Sequence, residues 1–134
     1  MSTYTSETKN VGEYRCESTY VPGGKVFATD LPKSFGGKEE FPSPGALLGS
    51  AIASCMMSMV SYVAGRKGID ITGITFKATP IEKDGKFTAF KMDVTVPLPG
   101  DCSDRELLEK SAMNCPVKNA IDPAIDIIVN WTWQ

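Results

Sequence analysis

The chain has 134 residues, 22% of them charged and 42% hydrophobic, with a formal net charge of −2. Those values fit a single globular domain, residues 1–134, able to bury a real core. They offer nothing that would draw the chain to nucleic acid or to an anionic membrane surface. Histidine is absent, which removes Ser-His and Cys-His nucleophile pairs and any histidine metal ligand.

In chain order, "MSTYTSETKN" (residues 1–10) is polar and lacks the apolar segment of a secretory signal. It reads as a flexible tail. "EYRCESTY" (13–20) has strand content, "VPGG" is a turn, and "KVFATD" (25–30) is the hairpin partner. A Pro- and Gly-rich loop, "LPKSFGGKEEFPSP" (31–44), carries Lys33, Lys38, Glu39 and Glu40. Ser43 followed by Pro44 is a helix start, with a capping hydroxyl and then a proline at the first helical position. This helix should run to about Lys67 and stop at Gly68. From Phe41 to Gly65 there is no charged side chain, enough to raise a membrane span. The serines, glycines and prolines within it favour the central helix of a non-membrane core instead. Leu48, Ile52, Cys55, Met59 and Tyr62 recur at helical spacing as one face, with Ser50, Ser54, Ser58, Ser61 and Gly65 on another.

Strands are expected over 71–82 and 86–99, joined by the Asp-Gly turn of "KDGK". "SDRE" (103–106) has the form of a capping box opening a second helix to about Asn114. In "CPVKNAID", Pro116 opens a short helical turn with Cys115 as its cap. Ile127, Val129, Trp131 and Trp133 then alternate with polar positions as a half-buried strand. Hairpin, long helix, hairpin, helix and strand make an α+β fold with largely antiparallel sheet. The long apolar helix makes an oligomer attractive.

Without an export signal, the expected location is the cytoplasm, where Cys16, Cys55, Cys102 and Cys115 stay reduced and a disulfide is transient and catalytic. Cys55 on an apolar helix face reads, taken alone, as a core hydrophobe rather than a nucleophile, because apolar surroundings quiet a thiol. Cys115, at a helix start where free N–H groups favour a thiolate, should be the more acidic of the two. Cys16 and Cys102 lack partner motifs. CxxC, GxGxxG and P-loop patterns are absent, leaving a two-cysteine redox site activated by Arg or Lys.

Two stretches then resemble one family. "FPSPGALLGSAIASCMMSMVSYVAGRKGIDITGITFKA" is similar to the OsmC/Ohr pattern of a Pro-containing helix start, a cysteine in a long helix, "KG" and a strand. "SAMNCPVKNAID" resembles that family's second cysteine. The resemblance implies sheets wrapped around long central helices in an intertwined homodimer. It also implies a thiol peroxidase for organic hydroperoxides. Cys55 would form a sulfenic acid, Cys115 would close a Cys55–Cys115 disulfide, and a dithiol, lipoyl-type in the family, would reduce it. No metal or cofactor is called for. Leu48, Ile52, Met56 and Met59 would line an apolar substrate pocket. Family members pair an arginine of the first hairpin region with a glutamate just after the helix-start proline; here that position is Gly45. Lys25 best matches the arginine, with Arg15 and Lys33 as other candidates and Glu39 or Glu40 as substitute carboxylates. The alternative function is a dimeric binding protein for an apolar or thiol ligand, with a degenerate peroxidase site. A third reading is a structural domain with core cysteines.

Overall fold

The computed structural model describes residues 5–134, which fall into two compact units divided between Leu47 and Leu48. In the first, β1 (Ser6–Gly12), β2 (Arg15–Tyr20) and β3 (Lys25–Thr29) form an antiparallel sheet in the order β1-β2-β3. β1 corrects the expected tail: residues 1–4 lie outside the described residues, but Ser6–Gly12 is a strand paired with β2. Its side chains are all exposed, so no hydrophobic alternation announced it. What holds it is the backbone ladder. The turn between them places Glu13 and Tyr14 at positive φ, 53° and 63°, matching a twisted two-residue hairpin.

The β2–β3 register pairs Tyr20 with Lys25 and Cys16 with Thr29. One step beyond that ladder, Arg15 stands opposite Asp30. The following loop turns through a 3₁₀ segment, Lys33–Phe35, closed by Gly36 at φ 86°. Gly37 is glycine for a different reason: a Cβ there would lie 2.0 Å from the Leu31 carbonyl oxygen.

α1 spans Pro44–Arg66 and begins as its cap residue dictates, with Ser43 Oγ accepting the Ala46 N–H at 3.2 Å. It ends where Gly68 takes φ 69° and Ile69 N–H returns to the Ala64 carbonyl at 2.9 Å. By length and composition α1 could cross a membrane, yet one of its faces is core. The buried positions are Gly49, Ile52, Ala53, Met56, Val60 and Ala64. That stripe is rotated from the expected one. Leu48, Cys55 and Met59 flank it half-buried, and Tyr62 is 62% exposed.

In the second unit, β4 (Thr75–Lys83), β5 (Lys86–Val96) and β6 (Asp126–Trp133) form a sheet in the order β4-β5-β6. Asp84 and Gly85, both at positive φ, make the tight turn between β4 and β5. β6 pairs with β5 in parallel, the one parallel pairing among the described strands of a largely antiparallel architecture. The crossover is made by α2 (Arg105–Met113) and α3 (Pro116–Asn119), which supply the length a parallel connection needs. Phe90, Met92, Val94 and Val96 of β5 are buried, and Met92 pairs with Val129, Val94 with Trp131. Ile52, Met56 and Val60 of α1, Phe90 and Met92 of β5, and Leu108 and Ala112 of α2 share one core. The expected Ser103 cap gives way to Asp104, whose carbonyl accepts the Leu108 N–H at 2.9 Å. A turn from Cys102 to Arg105 takes up Ser103, and the Asp104 carboxylate pairs with Lys67 at 3.3 Å.

Candidate functional site

The core just described contains a thiol pair. Cys115 sits between α2 and α3, wholly buried, and Cys55 packs half-buried against the same cluster from α1. Both are free thiols. Cys115 Sγ accepts the Lys118 N–H at 3.3 Å, as the cap of α3. Pro116 pre-sets the first helical φ, and that is why a sulfur in this sequence lands at a helix start.

Burial pushes the Cys115 thiol above its ordinary value, and interaction with the Cys55 thiol pushes it further; the Lys118 and Val117 amides offset only part of this. This runs against the expectation that its helix start makes Cys115 acidic. A helix start favours the thiolate, but taking sulfur out of water favours the proton, and here desolvation outweighs four residues of helix. Cys115 therefore holds its proton more firmly than an ordinary thiol. Such a pair suits a two-step thiol chemistry in which one sulfur reacts outward and the other is held in reserve.

The first unit carries a polar cluster around Arg15. Arg15 Nε and Nη2 donate to Asp30 Oδ1 and Oδ2 at 2.8 and 2.9 Å, a fork-to-fork pair. Asp30 also accepts the Glu40 and Phe41 N–H groups at 2.9 and 3.0 Å. Glu40 takes a further bond from Arg15 Nη2, and the Phe41 ring lies under the guanidinium at 4.7 Å. Arg15 consequently keeps its charge more firmly than usual, chiefly through Asp30 and then Glu40. Asp30 is held well below the usual carboxylate range, first by Arg15.

Of the expected activating residues, Arg15 and Glu40 are brought together and the rest are not. Lys25 is exposed at the hairpin end opposite Tyr20, and Lys33 is exposed on the 3₁₀ turn. Glu39 is exposed at φ 54°. It borders, with Asp30, Glu40, Phe41 and Ser43, a depression of about 400 Å³. Gly45 contributes no carboxylate. The sequence reading missed Asp30, although its signal was present: closing the "VPGG" turn on Tyr20 and Lys25 carries Arg15 directly opposite Asp30.

The expected pocket residues divide. Ile52 and Met56 are at 0% exposure, packed as core and closed to a ligand in this conformation. Leu48 and Met59 are half-buried on its flank.

The family model described as OsmC-like protein matches residues 36–130, a span that holds both thiols. The chain belongs to the OsmC-like family. Among solved structures, this OsmC-like protein is similar to one from Psychrobacter arcticus 273-4, described as a candidate osmotic stress induced and detoxification response protein. The TM-score is 0.92 at 26% identity over 98% of each chain. An organic hydroperoxide resistance protein from Elizabethkingia anophelis has the same fold, with TM-score 0.76 and 19% identity over 100% of this chain and 98% of that one. The organic hydroperoxide resistance protein OhrB of Bacillus subtilis matches with TM-score 0.64 and 19% identity over 97% and 98%. A comparison with curated protein sequences found no match. The α+β architecture expected from the sequence is thus that of the OsmC/Ohr structures.

Proposed function

We propose that this OsmC-like protein is a cytoplasmic, homodimeric thiol peroxidase for organic hydroperoxides, with Cys55 attacking and Cys115 resolving. The observation that carries the reading is the thiol pair itself: a buried Cys115 and a half-buried Cys55 packed against one core cluster, both free. The Cys55 thiolate attacks the terminal peroxide oxygen, the O–O bond breaks, and the alkoxide leaves as an alcohol on taking a proton. Cys55 becomes a sulfenic acid. Cys115 then gives up its proton, its sulfur bonds to that of Cys55, and the hydroxyl leaves as water. Two exchanges with a dithiol, lipoyl-type by the family resemblance, return both thiols.

Among the cations named from the sequence as thiolate-stabilising candidates, Arg15 is the one whose own unit holds it in place. Its guanidinium is held by two carboxylates, so it is set in place before any anion arrives. Lysine at position 25 would act only as a point charge. Leu48 and Met59, half-buried and apolar, suit an alkyl or lipid hydroperoxide better than hydrogen peroxide.

The test is one equivalent of cumene hydroperoxide followed by intact mass. Parental protein should lose two hydrogens, and Cys115→Ser should instead accumulate a sulfenic acid that dimedone traps. Cys55→Ser protein that still consumes peroxide at the parental rate would overturn the assignment. Retained binding of an apolar fluorophore with no peroxide consumption by the parental protein would favour the binding-protein reading, for which Gly45 in place of an acid is the motive.

A further inference from the structure

α3 is a four-residue helix capped by Cys115. A helix this short has no cooperative ladder of its own, so each terminal bond counts. They are the Lys118 N–H to Cys115 Sγ at 3.3 Å, the Asn119 N–H to the Cys115 carbonyl at 2.9 Å, and the Ala120 N–H to the Pro116 and Val117 carbonyls at 3.1 Å. The sulfur that performs the first of these also meets Cys55. One atom therefore serves both as helix cap and as partner of the second thiol, and it is wholly buried with no solvent to take over either task.

We propose that α3 is a redox latch, capped while Cys115 is a thiol and uncapped when its sulfur bonds to Cys55. The inference rests on the peroxidase reading above. In the resolving step Cys115 loses its proton, the S–S bond forms, and the Cys55 hydroxyl departs as water. The covalent bond draws the two sulfurs well inside their nonbonded separation, and it pulls the Cys115 sulfur off the Lys118 N–H. That donor loses its cap at the start of α3, whose own residues are exposed or half-buried, and is left to water. The disturbance reaches a surface, because Lys118, Asn119, Ile121 and Asp122 border a cavity of about 300 Å³ with Met113 and Ile127. The disulfide form thereby differs in shape from the dithiol form at a place a reductant can touch.

Amide hydrogen exchange on the full chain reads this directly. Exchange at Lys118, Asn119 and Ala120 should rise about tenfold, equivalent to about 1.4 kcal/mol, on disulfide formation with cumene hydroperoxide. Amides of β5 should not change. Cys115→Ser, which keeps a capping oxygen and cannot form the disulfide, should stay protected after peroxide. Cys115→Ala should exchange like the oxidised protein without peroxide. Unchanged protection alongside a mass loss of two hydrogens overturns the latch, and so does parental protection in Cys115→Ala. Absence of the disulfide fails the peroxidase reading instead, and the Cys115→Ala result still decides the capping claim.

Discussion

Replacing Gly49 by alanine should stabilise the protein, against the intuition that a buried helical glycine is there because nothing larger fits. Gly49 lies in the interior of α1, where glycine costs about 1 kcal/mol relative to alanine through its extra backbone freedom in the unfolded chain. Space decides whether that gain is realised. A Cβ at this position would sit 3.5 Å from Ala78 Cβ, 3.5 Å from Phe90 Cδ1 and 3.7 Å from Phe90 Cε1. These are ordinary van der Waals contacts, so the methyl enters without displacing its neighbours and adds up to about 0.8 kcal/mol of buried apolar surface. The sum is roughly 1 to 1.8 kcal/mol. Urea unfolding should show a higher midpoint with an unchanged m-value, and heating should show a Tm raised by about 3–8 °C. A lowered midpoint would refute the reasoning, because it would mean that α1 and the β4–β5 sheet approach too closely for a methyl. Gly65→Ala is the companion measurement. A Cβ there meets nothing within 4 Å, so only the propensity gain of about 1 kcal/mol is expected. Destabilisation by Gly65→Ala would show that a second copy of the chain covers this stretch.

Acid should unfold the protein partly through Asp30. Its folded carboxyl titrates well below the usual range because of Arg15, so as pH falls the unfolded chain takes up the proton first, near about pH 4. The stability Asp30 contributes is therefore full above that pH and is lost on acidification below it. Asp30→Asn should be less stable than the parent at neutral pH and show a flatter acid limb in urea titrations. Parallel limbs for the two proteins would count against the Arg15–Asp30 account. Ser43→Ala removes the acceptor of the Ala46 N–H and should cost about 1 kcal/mol. Ser43→Asp should recover it, and an unchanged midpoint in Ser43→Ala would argue that the cap contributes nothing.

Much of this fold is written in short-range chemistry. Ser43-Pro44 starts α1 and Gly68 closes it. Asp84-Gly85 turns a hairpin, Cys115-Pro116 caps a short helix, and alternation from Ile127 to Trp133 marks a strand. Each depends on residues within a turn or two of one another, so the sequence alone was enough. The resemblance around Cys55 and Cys115 likewise needed only the residues themselves.

What the sequence could not decide were matters of partner and surroundings. Ser6–Gly12 is polar on both faces, and a strand held by backbone bonds leaves no periodic trace. The direction of β6 depended on where α2 and α3 carry the chain. Helical spacing placed Leu48, Ile52, Cys55 and Met59 on a common side of α1, but only packing decided that Ile52 and Met56 face the core while Cys55 sits at its edge. Asp30 became the partner of Arg15 through strand register, 15 residues further along the chain. Above all, the proton affinity of Cys115 turned on burial. The local sequence around Cys115 favours a thiolate, and the core that closes over it favours the proton. Desolvation is a property of the assembled structure, and no stretch of sequence carries it.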